Sequence, residues 1–404
     1  MSGGEGSGEG LRAGAVSVDI TPSDLSSTWL AGFGLNRRAT GILEPLSASV
    51  LYLSAGGSEV VLVSADLIGL GRSWIDAIAA RTTRLGGAAL ICGSTHTHSA
   101  PDTLGIWGRG LFGEVPVRSG VDRSYLTGVV ERIAAGIDRA IASSRPVRMR
   151  STSFDVPEHW TRNDRKGGAR YDRAVAAAFD GEDGERVATL LNYACHPETL
   201  WDENRLVSPD FPGAFRRRAS ELAGGVALYL SGPLGAMLTP DVPLGATAPQ
   251  RQQFAEEMGR ALAELGEQHL AACEAKTPDA LHHASVDLTL RNRNWRFQLF
   301  RMLRILETRL QRGRVEMQIH HLRVGDLEML TAPGEVVPEL GRRIHERMSA
   351  PDRAIFGLCG EEVGYILEPA MFDDAEYRYE RTMSLGRDTA DALLAGYQAL
   401  LGAC

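Results

Sequence analysis

Two hydrophobic periodicities alternate along this 404-residue chain. Alternating or continuous runs rich in valine, isoleucine and leucine predict buried strands. We expect these strands at 47–54, 59–66, 88–93, 186–194, 226–231, 318–331 and 354–358. The first two should form a hairpin, because small turn residues separate them at 55–58.

Apolar residues that recur every three or four positions predict helices. The clearest pattern covers 122–143, where one face is apolar until Pro146 interrupts the helix. Similar patterns predict helices at 74–84, 212–223, 249–272 and 336–348. Strands interleaved with helices indicate an α/β fold, a layered domain with mixed central β-sheets flanked by helices.

The chain is expected to form one domain after a short tail. Residues 1–11 begin with a stretch rich in glycine, serine and glutamate, which predicts a disordered tail rather than a secretory signal. Residues 12–404 should form the single domain. No apolar stretch reaches the roughly 20 residues that cross a bilayer, so we expect no transmembrane segment and a cytoplasmic location.

The composition of the chain argues against several classes of function. Hydrophobic residues make up 44% of the chain, which is ample for a large core. The formal net charge of −8 argues against a nucleic-acid partner. Lys166 and Lys276 are the only lysines, so lysine-based chemistry has few possible carriers. The five scattered cysteines include no CxxC pair, which argues against a thiolate zinc site.

One segment, about 289–314, departs from this acidic average. Eight arginines and a single acidic residue, Glu307, lie between Arg291 and Arg314. Apolar side chains from Trp295 to Leu310 fall on one helical stripe, so we interpret the segment as an arginine-rich helical insertion. It could pack on the core as a surface helix. It could also serve as a lid, a membrane-surface element, or a dock for an anionic substrate or acidic carrier protein.

Polar residues with catalytic potential follow five predicted strands. Ligands of open α/β sheets collect beyond the carboxyl ends of strands, so we expect these residues to share one crevice. They comprise His96 and His98, then His196, the glycine loop at 232–241, Glu335, and the segment 361–365 that ends in Tyr365.

The residue types in this crevice favour a metal, although each has another interpretation. His96 and His98 lie two positions apart and would face the same side of an extended chain. With a third imidazole and a carboxylate they form a donor set suited to zinc. Alternatively, the three histidines are hydrogen-bonded structural residues, Glu335 supports a helix start, and Tyr365 packs in the core. The sequence that begins at His96 lacks the HxHxDH pattern of metallo-β-lactamases.

Taken together and in order, these segments resemble the neutral (non-lysosomal) ceramidase family. The resemblance implies the catalytic domain of that family over 12–404, and we expect its C-terminal immunoglobulin-like domain to be missing. The matching segments are STHTHSAP at 94–101, NYACHPETL at 192–200, SPDFPG at 208–213, the glycine loop at 232–241, APGE at 332–335, GLCGEEVGYI at 357–366 and YRYERTMSLG at 377–386.

The resemblance implies a zinc hydrolase. It makes His96, His196, Glu335 and Tyr365 the ligands of a Zn²⁺ ion, and it makes His98 the residue that contacts the attacked carbonyl. Zinc would activate a water molecule for attack on an amide carbonyl.

The substrate-facing segments depart from the family pattern. The family's Gly-Asp-x-Ser-Pro loop is one residue longer here, and Thr239 is the only hydroxyl that could replace its serine. In the family's Arg-Asn-Arg contact, Arg162 keeps the first position and Arg165 could supply the last after a one-residue shift. The resemblance therefore implies catalytic roles for Thr239 and Arg165, and substrate contacts for Arg162 and Tyr379.

We predict from these observations a zinc-dependent amidohydrolase or deacylase. Its substrate would be a small-molecule or lipid-like N-acyl compound other than ceramide. One alternative is a zinc-dependent esterase, lactonase or acyl transferase that acts on an anionic or carrier-linked substrate. A second alternative is a degenerate protein that binds zinc without turnover.

Overall fold

The computed structural model describes residues 10–111 and 115–402. Most of the predicted tail, residues 1–9, lies outside the described residues. Leu11 is fully buried, and its amide donates to the carbonyl of Pro278, so the folded chain begins before residue 12.

The described residues form strands that belong to two large sheets and several short pairs. In chain order they are β1 (Arg12–Asp19), β2 (Gly41–Ile42), β3 (Ser47–Ala55), β4 (Ser58–Ala65), β5 (Ala89–Ser94), β6 (Gly110–Leu111), β7 (Val115–Pro116), β8 (Arg145–Asp155), β9 (Thr161–Asn163), β10 (Arg173–Gly181), β11 (Arg186–Tyr193), β12 (Leu206–Val207), β13 (Val226–Ser231), β14 (Leu238–Pro240), β15 (Leu281–Arg291), β16 (Leu310–Gln311), β17 (Arg314–Val324), β18 (Leu327–Thr331), β19 (Glu335–Val336), β20 (Asp352–Phe356) and β21 (Tyr365–Ile366).

The helices cover the outer faces of the two sheets. In chain order they are α1 (Arg72–Arg81), α2 (Arg123–Ala142), α3 (Phe211–Ala223), α4 (Ala248–Ala271), α5 (Trp295–Met302), α6 (Pro338–His345), α7 (Arg378–Thr382) and α8 (Thr389–Leu401). Short 3₁₀ helices occur at Glu158–Trp160, Pro369–Phe372 and Ala375–Tyr377.

Four layers make up the domain. An eight-stranded sheet has the order β13-β11-β10-β8-β1-β3-β4-β5, and a five-stranded sheet contains β15-β17-β18-β20 with β16 paired to β17. Apolar side chains from the inner faces of both sheets form a common core between them. Helices α1 to α4 cover the outer face of the larger sheet, while α6 and α8 cover the smaller one. The predicted layered α/β fold is confirmed.

Both sheets mix parallel and antiparallel pairs. β4 runs parallel to β5, β11 to β13, and β18 to β20, whereas the other pairs within the two sheets are antiparallel. These parallel pairs matter for function, because their carboxyl ends lie at a common edge. No helix in the described part of the chain is both long enough and apolar enough to cross a membrane.

Two predicted elements differ from the structure. The strand expected at 318–331 is a hairpin of β17 and β18, turned at Gly325 with a φ of 55°. Of the segment expected to be a helical insertion, only α5 is helical. The chain before it continues β15 to Arg291, which pairs with Arg314 of β17, so most of the segment closes a long hairpin. Arg304 and Arg312, both with positive φ, mark the turns.

A buried ion pair ties α3 to the sheet edge that carries the His96 segment. Asp66 follows β4, is fully buried, and accepts two hydrogen bonds from the Arg216 guanidinium at 2.9 and 2.5 Å. The same carboxylate accepts from the amide of Ser47 at 2.8 Å and from the Thr95 hydroxyl at 3.3 Å. Asp66 therefore fixes the residue immediately before His96.

Replacing this carboxylate should be costly, because it would leave the Arg216 charge buried and unpaired. We expect Asp66→Ala to lower the free energy of unfolding by about 3–5 kcal/mol. Asp76→Ala is the matched control, since Asp76 pairs with Arg72 on the exposed face of α1. That substitution should cost under about 0.5 kcal/mol. Urea unfolding of both variants measures the difference, and equal losses would contradict the structural role of Asp66.

Candidate metal centre and active site

The loops after β5, β13, β18 and β20 meet at one place. The amide of Ser94, at the end of β5, donates to the carbonyl of Leu358 at 3.2 Å. The amide of Gly357, after β20, donates to the carbonyl of Ser231 at the end of β13, at 2.8 Å. Strand ends from both sheets thus share hydrogen bonds, and their polar side chains enter a common space.

Three histidines occupy this space. The ring centroids of His96 and His98 are 5.1 Å apart, those of His96 and His196 are 5.3 Å apart, and those of His98 and His196 are 5.6 Å apart. One ring nitrogen of each lies within 4.8 Å of those of the other two, close enough to share a metal ion. All three side chains are buried.

Glu335 brings a carboxylate to the same point. Its Oε2 lies 3.0 Å from His196 Nε2, and its Oε1 lies 3.6 Å from His96 Nε2. Glu335 begins β19, which pairs in parallel with β21 so that Glu335 lies opposite Tyr365. The structure therefore brings together the residues that the sequence analysis placed in one crevice.

The backbone around the histidines is held in unusual conformations. His96 has a φ of 69°, a left-handed conformation that costs a non-glycine residue about 1–3 kcal/mol and is typical of functional sites. Its amide donates to the carbonyl of Leu67 at 2.9 Å, which helps to hold that conformation. Gly32 lies against the His98 ring, and a Cβ at position 32 would come within 2.2 Å of it.

The hydrogen bonds of His96 and His196 show which ring nitrogens are free. His96 Nδ1 contacts the carbonyl of Ile68 at 2.6 Å, and His196 Nδ1 contacts that of Leu238 at 2.8 Å. A carbonyl can only accept, so each Nδ1 carries a proton. The neutral His96 ring therefore presents an Nε2 lone pair to Glu335, whereas His196 Nε2 shares a proton with the Glu335 carboxylate in a hydrogen bond. A metal ion that replaced this proton would find an Nε2 lone pair on each ring. Lone pairs that face a carboxylate need a positive charge between them. These residues therefore fit a bound divalent cation.

The proton affinities of the two rings differ. Burial lowers the pKa of His96 to about 3, so this ring is neutral. Burial also disfavours protonation of His196, but the hydrogen bond and charge of Glu335 raise its pKa to about 9. Although burial would raise the pKa of Glu335, the two histidines hold it below its ordinary value. A proton on His196 thus balances Glu335 where a metal ion would otherwise do so.

A second carboxylate, Glu198, contacts His98 and was missed by the sequence analysis. Glu198 is 1% exposed, and its Oε2 lies 2.9 Å from His98 Nδ1, although the approach angle is poor for a hydrogen bond. Burial would raise the pKa of Glu198, but His98 and the Thr239 hydroxyl lower it to about 2. The only signal in the sequence was its position two residues after His196.

An apolar pocket opens above this cluster. His96, His98, Glu335 and Tyr365 contribute its polar wall. The remaining wall is mainly apolar and includes Ile68, Leu104, Ile106, Trp107, Phe297, Leu306, Leu310, Val315, Val363, Met383 and Leu385. Such a pocket suits a ligand with a hydrocarbon portion whose polar end lies against the histidines.

Tyr365 and Tyr379 line this pocket side by side, with ring centroids 6.0 Å apart. Burial raises the pKa of Tyr365, and its protonated hydroxyl donates to Met237 Sδ at 3.4 Å. Glu362, which belongs to the segment 361–365 that the sequence places in the crevice, also lines the pocket. Its Oε1 accepts from the amide of Gly364 at 2.8 Å, while its Oε2 has no hydrogen-bond partner among the described residues.

Three other predicted site residues lie away from this pocket. Thr239 is 1% exposed and lines a separate cleft together with Glu198 and Arg162. Arg162 lies in β9, which pairs with β14, and its guanidinium binds Asp164 at 2.8 Å. Arg165 donates to the buried carboxylate of Glu380 at 2.5 Å. The structure thus groups Thr239 with Glu198 behind His98, and it does not bring Arg162 or Arg165 to the histidines.

Comparisons with known proteins identify the fold. No family model and no curated protein sequence matches this chain. A neutral ceramidase from Pseudomonas aeruginosa matches with a TM-score of 0.75 and 18% sequence identity, over 97% of this chain and 73% of the other. A ceramidase solved in complex with C2 matches with the same TM-score and 17% identity, over 97% and 74%. The chain is therefore a divergent protein with the neutral ceramidase fold.

Metal binding should stabilise the protein in a way that depends on the histidine cluster. At a free Zn²⁺ concentration about 100 times its dissociation constant, binding adds about 2.7 kcal/mol to the free energy of unfolding. Thermal unfolding should show this as a higher midpoint for the wild type and little change for His196→Ala. His282→Ala, at an exposed position, is the control and should keep the full shift. An equal shift in both variants would place the bound ion elsewhere.

Proposed function

We propose that this protein is a zinc-dependent hydrolase that cleaves the amide bond of N-acyl compounds other than ceramide. The observation that carries the proposal is the group of three imidazoles in contact with Glu335, of which His96, His98 and Glu335 line the polar end of an apolar pocket. Such a pocket can hold an acyl chain and place its carbonyl beside the metal donors. Burial of the chain would stabilise the complex by about 0.8 kcal/mol per methylene group.

His96, His196 and Glu335 are the residues that would hold the ion. Their contacts support this, since both Nε2 atoms face the carboxylate and both Nδ1 atoms are fixed by backbone carbonyls. Tyr365 lies opposite Glu335 and is the proposed fourth ligand. Two imidazoles with a carboxylate are typical of catalytic zinc sites. When bound, zinc would lower the pKa of a water molecule and polarise the substrate carbonyl.

His98 is the proposed carrier of protons in this reaction. Its Nδ1 is directed at Glu198, which leaves Nε2 on the side of the other two histidines. A carboxylate behind an imidazole fixes the orientation of the ring and increases its basicity. Cleavage of an amide requires a proton on the leaving nitrogen, and His98 is placed to deliver it. Glu198 is then a positioning residue that acts through His98.

Departures around Thr239 support a substrate other than ceramide. Thr239, the hydroxyl that could replace the family serine, lies beside Glu198 rather than in the apolar pocket. We infer that recognition of the amine portion has changed, while the metal donors have been kept.

Removing the negative charge of Glu198 should slow turnover without removing the metal. We expect Glu198→Gln to lower kcat about 10- to 100-fold, because the His98 ring loses its partner. KM and the zinc content measured by atomic emission should stay near wild-type values. Glu203→Gln, at an exposed position five residues later, is the matched control. A variant with unchanged kcat would rule out the positioning role.

The reaction class can be tested with a series of N-acyl amides of one amine, from acetyl to palmitoyl. The zinc-loaded protein should hydrolyse the longer members, and chelation should abolish turnover. Ile106→Trp should fill part of the pocket and reduce kcat/KM for long chains about 10- to 200-fold, with short chains less affected. Leu244→Trp, at a site 98% exposed, is the control.

Two outcomes of that series would contradict the proposal. Hydrolysis of the corresponding acyl esters alone would favour an esterase or acyl transferase. Zinc binding without turnover of any member would favour a degenerate protein that keeps only the metal site.

A further inference from the structure

Helix α5 separates the apolar pocket from solvent and is itself apolar on both sides. Phe297, from this helix, is 7% exposed and lines the pocket. Trp295 is 66% exposed and Met302 73%, while Leu303, immediately after the helix, is 55% exposed. Large apolar side chains that cluster at the surface mark contact sites for other molecules. The outer side of α5 is therefore available for contact at the wall of the pocket.

Grooves rich in arginine begin at both ends of α5. We call them the first and second arginine grooves. The first contains Leu303 and Val117 together with Arg38, Arg109, Arg118, Arg123 and Arg304. The second contains Trp295 and Phe372 together with Arg293, Arg296, Arg378, Arg381 and Arg387.

Few carboxylates neutralise the first groove. Arg123 binds Glu307 at 2.8 Å. Arg109, Arg118 and Arg304 are exposed and have no carboxylate partner in the part of the chain that the structure describes. The chain as a whole carries a formal net charge of −8, so this positive surface is a local concentration rather than a general property.

The second groove is partly neutralised and still carries an excess of positive charge. Arg293 pairs with Asp388, and Arg387 pairs with Asp373, both at exposed positions. Arg296 lies over the Trp295 ring at 5.8 Å, so its charge stays next to the exposed indole. Arg378 is exposed without a carboxylate partner among the described residues. The indole of Trp295, the thioether of Met302 and several guanidinium groups are thus exposed near one another.

We propose that α5 and the two arginine grooves form a docking surface for an anionic lipid bilayer. Exposed Trp and Leu side chains enter the boundary between headgroups and acyl chains, and arginines on either side bind anionic headgroups. The inner side of the same helix lines the pocket. Docking would therefore bring the pocket against the bilayer, and an acyl chain could pass between them without crossing water. This last step rests on the proposed function, whereas the docking itself does not.

An acidic carrier protein is the other partner that the arginines could attract. A bilayer fits better for two reasons. The exposed apolar residues belong to the same helix as Phe297, which lines the pocket, so a membrane-resident acyl chain would lie close to it. The cations lie on both sides of that apolar centre, which matches a flat anionic surface better than one acidic helix.

Vesicle sedimentation with the full chain tests the proposal. Vesicles of phosphatidylcholine alone should bind weakly, vesicles that also contain phosphatidylglycerol should bind strongly, and salt should release the protein from the latter. Arg109→Glu combined with Arg304→Glu should weaken binding about tenfold or more, and Trp295→Ser combined with Met302→Ser should do the same.

Controls separate docking from folding and from catalysis. Arg148→Glu and Leu244→Ser, at exposed positions outside both grooves, should bind like the wild type. All variants should keep wild-type turnover of a short, water-soluble N-acyl amide. Binding to vesicles without any amide turnover would support docking and overturn the proposed function.

Equal sedimentation with neutral and anionic vesicles would overturn the docking proposal. So would groove variants that bind like the wild type. Saturable binding to a purified acidic acyl carrier protein, lost in the same groove variants and unaccompanied by vesicle binding, would replace the bilayer with a protein partner.

Discussion

Two imidazole nitrogens and a carboxylate face one another at the buried end of the apolar pocket. Their mutual repulsion would be unfavourable unless a positive charge lay between them. His96 and His196 cannot turn away, because backbone carbonyls hold their other ring nitrogens at 2.6 and 2.8 Å. Those carbonyls belong to segments that follow different strands. The fold therefore holds these electron-rich groups close together, and a bound cation is the simplest way to offset their repulsion.

The four layers explain how the fold can hold these groups close together and remain stable. Parallel pairs from both sheets end at the same edge, and the shared core between the sheets keeps those ends in register. Asp66 anchors the chain just before His96 through Arg216. The strained φ of His96 is thus supported by a rigid surrounding, as expected where a fold positions reactive groups.

Sequence patterns predicted the strands and helices whose apolar periodicity is strong, including β3, β4, α2 and α4. They missed β10, because its run of alanines has neither strand propensity nor alternation. They also missed β8 and β15, in which many residues are polar. The histidines and Glu335 were predictable because each directly follows a strand. Glu198 was not, because only the folded chain shows that it contacts His98. The direction of Arg162 depends on the pairing of β9 with β14, which no local pattern encodes.

Gly32 shows how far the geometry of the centre reaches beyond its polar residues. It packs so tightly on the His98 ring that even a methyl group at position 32 would overlap the imidazole. Replacing Gly32 with alanine, in a loop far from His98 in the sequence, would therefore displace the His98 ring although His98 itself is unchanged. A variant of this kind would mimic the loss of a histidine while every polar side chain of the centre was still present. In proteins with this fold, an intact set of polar residues is therefore insufficient to establish that the centre is intact.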